Sequence, residues 1–179
     1  MPKYFNTFPK RLYDLDNSGR PKIVTDIFRR MKVRDNVKDN MALFASYDVP
    51  SGETPESISY KHFGSTDYFW VICLMNNVQD RFYDWPLTDQ AFEEYVKDKY
   101  ANPQAIHHYE KTQSSGATTG NGPGDFSHKI EVNSTDADAQ SVSNYEYELR
   151  EQDKKRQIKL LDKAYLNEFV AEFERLVQR

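Results

Sequence analysis

YDVPSGETPESISYKHFGSTDYFWVICLMNN, residues 47–77, is the stretch whose reading decides the fold. Tyr47–Pro50 reads as a short strand and Ser51–Gly52 as the turn after it. Thr54 then offers a capping oxygen, Pro55 stands at the first helical position, where its missing N–H costs nothing, and Glu56 complements the positive end of the helix. Gly64 supplies the left-handed residue that stops the helix. Ser65 or Thr66 starts a second helix, whose run Tyr68–Met75 is apolar on all sides and so calls for cover on more than one face. The stretch predicts a compact β-α-α unit with Ile58, Phe63, Trp70 and Ile72 as candidate core residues.

Working outward, residues 1–22 read as an extended arm, because Pro2, Pro9 and Pro21 interrupt any helix. Tyr4, Phe5 and Phe8 on that arm need a surface to lie on and are candidate protein-interface residues. Thr25 reads as the cap of a short helix with Asp26 in its first turn and Ile27 and Phe28 facing inward, followed by a helical stretch around Val37–Phe44. After the central unit comes DRFYDWPL, residues 80–87, read as extended, with Phe82, Tyr83 and Trp85 as further interface candidates. Thr88 caps an amphipathic helix to about Tyr100, with Phe92, Tyr95 and Val96 on one side.

The texture changes at 101–144. SSGATTGNGPG, 114–124, reads as a flexible loop of small residues. Its flanks, IHHYEK (106–111) and SHKIEV (127–132), predict a long-looped hairpin, with linker over 133–143. Residues 144–156 predict a helix and RQIKLL (156–161) a strand; Asp162 then caps a final helix with Leu166, Phe169, Val170 and Phe173 on one stripe, Phe169 and Phe173 as candidate core. The fold class expected is α+β, in four segments: 1–44 arm and short helices, 45–100 core with its following helix, 101–144 hairpin with the Gly-rich loop, and 145–179 strand and helix.

Composition narrows the function. A formal charge of −4, from 24 Lys and Arg against 28 Asp and Glu, is not the basic footprint of a nucleic-acid binder. One cysteine excludes an intramolecular disulfide and a cysteine-based zinc site. The start, MPKYFNTFPKRLYDLD, lacks the apolar run of a signal peptide, and the longest uncharged apolar run is Tyr68–Met75, so neither export by that route nor membrane insertion is expected. Asp14, Asp16, Ser18 and Gly19 match the first half of a calcium loop, but Pro21 and Thr25 fall where an aliphatic residue and a bidentate Glu are needed, which leaves a polar turn. His107 and His108, adjacent on a strand, would point to opposite faces, and Cys73 in an apolar helix has no base near it in sequence. No nucleophile elbow, P-loop or dinucleotide motif occurs, so no catalytic, cofactor or metal residues are assigned. Aromatic residues at 14% suit contact with other proteins.

Two resemblances follow from these residues. Tyr47, Val49, Gly52-Glu53-Thr54, Ile58, Phe63-Gly64 and Asn76 resemble the LysM module, a βααβ domain known for binding glycans that contain N-acetylglucosamine. Four blocks, namely Thr25-Asp26-Ile27-Phe28-Arg29, Pro55-Glu56 through Phe63-Gly64 to Trp70-Val71, Asn76 with Asp80, Tyr83 and Trp85, and Arg156-Gln157-Ile158-Lys159, resemble over most of the chain the baseplate wedge subunit of contractile-tailed bacteriophages, the gene 53 product family of T-even phages. That second resemblance implies a LysM-like core inside a non-enzymatic structural subunit without cofactors. It implies a place in the virion tail baseplate after assembly in the host cytoplasm. Its expected partners are the large wedge scaffold proteins, the sheath-initiating lysozyme-like subunit and hub proteins, with the chain clamping neighbouring wedges around the central hub; a LysM-type peptidoglycan-binding module is the alternative.

Overall fold

The computed structural model describes residues 4–38, 42–113 and 128–178; the Gly-rich loop 114–124 lies outside the described residues. The chain forms two compact units, one made of residues 1–86 with 155–179 and the other of residues 87–154.

The larger unit opens with a 3₁₀ turn, Tyr4–Thr7, and a hairpin of β1 (Lys10–Tyr13) and β2 (Lys22–Thr25), whose loop is the DLDNSG turn. Asp14 organises that turn by accepting hydrogen bonds from the amides of Ser18 (3.2 Å) and Gly19 (2.7 Å). A short helix α1 (Asp35–Lys38) precedes β3 (Phe44–Asp48), α2 (Pro55–Phe63), a 3₁₀ turn at Thr66–Tyr68 and α3 (Phe69–Met75). The start of α2 is a full capping box: the Thr54 hydroxyl accepts from the Ser57 amide at 3.3 Å while Ser57 Oγ accepts from the Thr54 amide at 3.1 Å. Gly64 closes it at φ +83°, a conformation with no steric penalty only for glycine.

The strand that pairs with β3 is far away in sequence. β7 (Gln157–Leu161) runs antiparallel to it, with Tyr47 opposite Ile158, and leads through a turn capped by Asp162 into α6 (Leu166–Val177). Strand alternation puts Ile158 and Leu160 inward, and the apolar stripe of α6 buries Leu166, Phe173 and Val177. With Val49, Ile58, Phe63, Trp70, Val71 and Ile72 they make one core. Trp70 sits among rings, 4.5 Å from Phe173, 5.4 Å from Tyr4 and 6.2 Å from Phe169 between centroids.

The smaller unit holds α4 (Asp89–Lys99), the sheet β4 (Ile106–Thr112), β5 (Lys129–Val132) and β6 (Gln140–Ser143) in the order β5-β4-β6, and most of α5 (Asn144–Arg156). Its apolar centre is small, with Phe92, Val96 and Val142 buried, so polar contacts carry much of the cohesion. Buried Glu148 accepts from Lys99 Nζ and the Tyr100 hydroxyl, each at 2.7 Å. Buried Glu110 is gripped by Arg150 through two hydrogen bonds (2.8 and 3.0 Å) and by Lys129 at 2.5 Å. Those cations hold the Glu110 carboxyl down at about 2 against the opposing effect of burial. The two units together make a mixed α+β fold.

Several sequence expectations are corrected here. Residues 25–28 are the end of β2 and a turn instead of a helix; Asp26 pairs with Arg11 (2.9 Å) and its amide donates to the Pro9 carbonyl. Residues 1–22 are not one extended arm, since a 3₁₀ turn and a hairpin occur there. Phe44 lies in a strand, and 133–143 contains β6, which pairs with β4.

Candidate functional site

The candidate interface residues fall into two groups. Phe8 and Trp85 are buried in the core, and Tyr4 is half-buried against it, its ring 5.5 Å from Phe173 and 5.0 Å from Phe8. Phe8 and Trp85 thus pack on their own chain, while Tyr4 keeps part of its ring in solvent. For Trp85 the geometry is specific: its indole N–H donates to the Glu53 carbonyl at 2.8 Å, which ties the 80–86 segment to the turn before α2. Phe5, Phe82 and Tyr83 are instead exposed, Phe82 at 81%. The candidate core residues Ile58, Phe63, Trp70, Ile72 and Phe173 are buried, and Phe169 is half-buried beside them.

The turn that presents Phe82 and Tyr83 is held from below. Asp84 accepts from the amides of Asp80 and Gln79, both at 2.9 Å, which keeps its carboxyl below the usual carboxylate range. Asp80 in turn accepts from the Phe82 amide at 2.8 Å, and Lys155 Nζ donates to the Tyr83 carbonyl at 2.6 Å. A fixed turn that points two large rings into solvent loses little entropy when a partner covers them.

Sequence reading missed a second exposed apolar feature. Leu12, Leu15 and Ile23 on the hairpin, and Ile27 and Phe28 just after it, are all solvent-facing, Phe28 at 92% and Leu15 at 82%. The available signal was the pair of short β-prone runs, Leu12-Tyr13 and Ile23-Val24-Thr25, flanking the polar DLDNSG turn.

Chemistry is sparse. Among the described residues no group of three or more His, Cys, Asp or Glu side chains is placed to hold a metal ion. Burial pushes the Cys73 thiol up to about 11, away from the thiolate a nucleophile needs. His62 Nε2 lies 2.8 Å from the Leu161 carbonyl. His107 and His108 do not point apart as expected: an irregularity in β4 between Ile106 and His108 brings their Nδ1 atoms to 2.9 Å, and the His107 ring stacks on Tyr147 at 4.0 Å. Tyr47 donates to Glu53 at 2.6 Å, and that carboxylate beside it pushes the phenol up to about 12, while Lys61 also pairs with Glu53. These pairs cross-link the strand and helix of the core. No described helix is long and apolar enough to cross a membrane.

Two comparisons with known proteins match the chain. A family model described as "Base plate wedge protein 53" matches residues 5–117. A curated relative, baseplate wedge protein gp53 of Enterobacteria phage T4, is 26% identical over 178 residues, covering 91% of this chain and 89% of that protein.

Proposed function

Because the chain belongs to the base plate wedge protein 53 family, we propose that it is a non-enzymatic subunit that clamps neighbouring wedge subunits together and around the central hub of a phage tail baseplate. A structural role in the baseplate, and a place in the virion, come with family membership. The clamp is the finer reading, and one observation carries it: the larger unit has a packed core of its own yet holds Leu15, Phe28 and Phe82 more than four-fifths exposed at three separate turns. Large apolar groups kept in water on a folded unit mark contact sites for other proteins. The partners that fit are the large wedge scaffold proteins, with the sheath-initiating lysozyme-like subunit and hub proteins beside them. The order β3-α2-α3-β7 supports a LysM-like core serving as a scaffold.

The test is complementation of a phage lacking this chain with Phe28→Asp or Phe82→Asp. Both sites are exposed, so the isolated variants should keep their stability within about 0.5 kcal/mol, while complete baseplates, counted by electron microscopy, should fall sharply. Baseplates at wild-type numbers with both variants would remove the clamp. Calorimetric binding of peptidoglycan fragments by the wild-type chain would move the reading to a glycan-binding module.

A further inference from the structure

α3 reads FWVICLM, with no polar face. A helix apolar all round is covered all round. Here the chain's own core takes Trp70, Val71, Ile72 and Met75, and the opposite side, Phe69, Cys73 and Leu74, is only half-buried. That side forms the floor of a groove of about 870 Å³ within the larger unit. Met31 and Val78 extend the apolar floor, and Arg29, Arg30, Lys32 and Arg81 stand around it, Arg29 paired with Asp26 at 3.4 Å and Arg81 lying 3.8 Å from Glu56.

The cations are not a sample of the whole chain. Residues 10–34 carry eight Lys and Arg against three Asp, in a protein of formal charge −4. The positive surplus is therefore concentrated in the segment that supplies one wall of the groove. Arg29 is fixed there, with its guanidinium donating to the Val177 carbonyl at 2.7 Å, so this wall is tied to the end of α6. The floor combines rings, Phe69 with Tyr4, Phe5 and Trp70 beside it, with aliphatic and thioether side chains, an apolar surface that the side chains of an amphipathic protein segment match.

We infer that this groove docks an acidic amphipathic segment of a neighbouring baseplate subunit, its apolar side chains on Phe69, Cys73 and Leu74 and its carboxylates against Arg30, Lys32 and Arg81. The word baseplate rests on the function proposed above; the groove and its charge do not. Charge complementarity selects the partner and speeds its capture, and the apolar floor supplies the affinity.

The test titrates the full-length protein with three labelled probes by fluorescence anisotropy. They are an amphipathic peptide of about five helical turns with Leu on one face and Glu elsewhere, the same peptide with Lys for Glu, and a short DNA duplex. The Glu peptide should bind at least about tenfold more tightly than the Lys peptide, and Arg30→Glu with Arg81→Glu should remove about tenfold of that affinity. Arg30 and Arg81 are exposed, so the double variant should melt as the wild type does. Equal binding of the two peptides, no effect of the double variant, or tighter binding of the duplex than of the Glu peptide would each overturn the inference. Mass spectrometry of purified tails tests the baseplate reading separately: if the chain is present there and the titration is blank, the groove fails and the baseplate role stands.

Discussion

Trp70→Ala should remove the centre of the larger unit. Trp70 is 7% exposed, and an indole buries about 150–250 Å², worth about 4–6 kcal/mol at about 25 cal/mol per Å². Alanine retains a fraction of that, and the surrounding rings collapse only partly into the space, so the expected loss is about 3–5 kcal/mol. That is a large share of the 5–15 kcal/mol or so that holds an ordinary domain together. The same ring joins three separated parts of the chain, the N-terminal turn through Tyr4, α3 itself, and α6 through Phe169 and Phe173. Tyr4→Ala and Trp70→Ala should therefore be non-additive by about 1 kcal/mol. Urea unfolding followed by far-ultraviolet circular dichroism measures both quantities, and hydrogen exchange should show the amide of Phe8 protected in the isolated chain. A loss under about 1 kcal/mol, or strict additivity with Tyr4, would refute the packing of the N-terminal turn on this core.

Three further outcomes follow from single contacts. Trp85→Phe keeps an aromatic ring but strands the Glu53 carbonyl, and should cost about 1–3 kcal/mol in urea unfolding, less than Trp85→Ala; no loss in Trp85→Phe would mean the indole N–H contributes nothing. Thr54→Ala breaks the capping box and should cost about 1 kcal/mol by the same assay, with no loss at all counting against the cap. Glu110 has its folded-state pKa depressed to about 2, so its contribution is complete above the unfolded value near 4.5 and is lost as pH falls from there toward 2. Acid titration of the wild type should show the Tyr147 region of the smaller unit loosening over that range by nuclear magnetic resonance, and Glu110→Gln, already destabilised at neutral pH, should show a flatter profile; identical profiles would refute the linkage.

What was legible in the sequence was local. Thr54, Pro55, Glu56 and Gly64 specify α2 within ten residues of one another, and Thr88 and Asp162 cap helical segments in the same way. The stripe of α6 is visible because one face of a helix repeats. Non-local partners left no such mark. β6 reads QSVS, and only Val142 in it is buried, so its strand character comes from pairing with β4. Thr25-Asp26 has the composition of a helix cap, yet Asp26 is claimed by Arg11 across the hairpin, a contact no local pattern announces. Pro9 and Pro21 suggested an interrupted arm, but both fall just outside the strands and leave Lys10–Tyr13 and Lys22–Thr25 free to pair. For the interaction surface, aromatic content pointed to rings in general and could not sort them. Trp85 is removed from the surface by a single carbonyl acceptor at Glu53, and Phe28 is placed on it by the turn after β2.

The pairing of β3 with β7 explains how a modest core can support such a surface. About 110 residues separate the two strands, and closing a loop that long costs only about 2 kcal/mol more than closing one of ten, since each doubling adds about 0.6 kcal/mol. The segment that closes it brings Ile158, Leu160, Leu161, Leu166, Phe173 and Val177 into the core, each worth about 1.5–3 kcal/mol on burial. Burial therefore outweighs the added cost of the longer loop severalfold. The smaller unit is held by its own Glu110 and Glu148 ion pairs and by buried Phe92, Val96 and Val142. The exposed hairpin, the Phe82 turn and the groove along α3 all belong to the unit closed by residues 155–179. The clamp proposed above needs several contact sites held on one folded body, and closure by the last strand and helix holds these three on one unit.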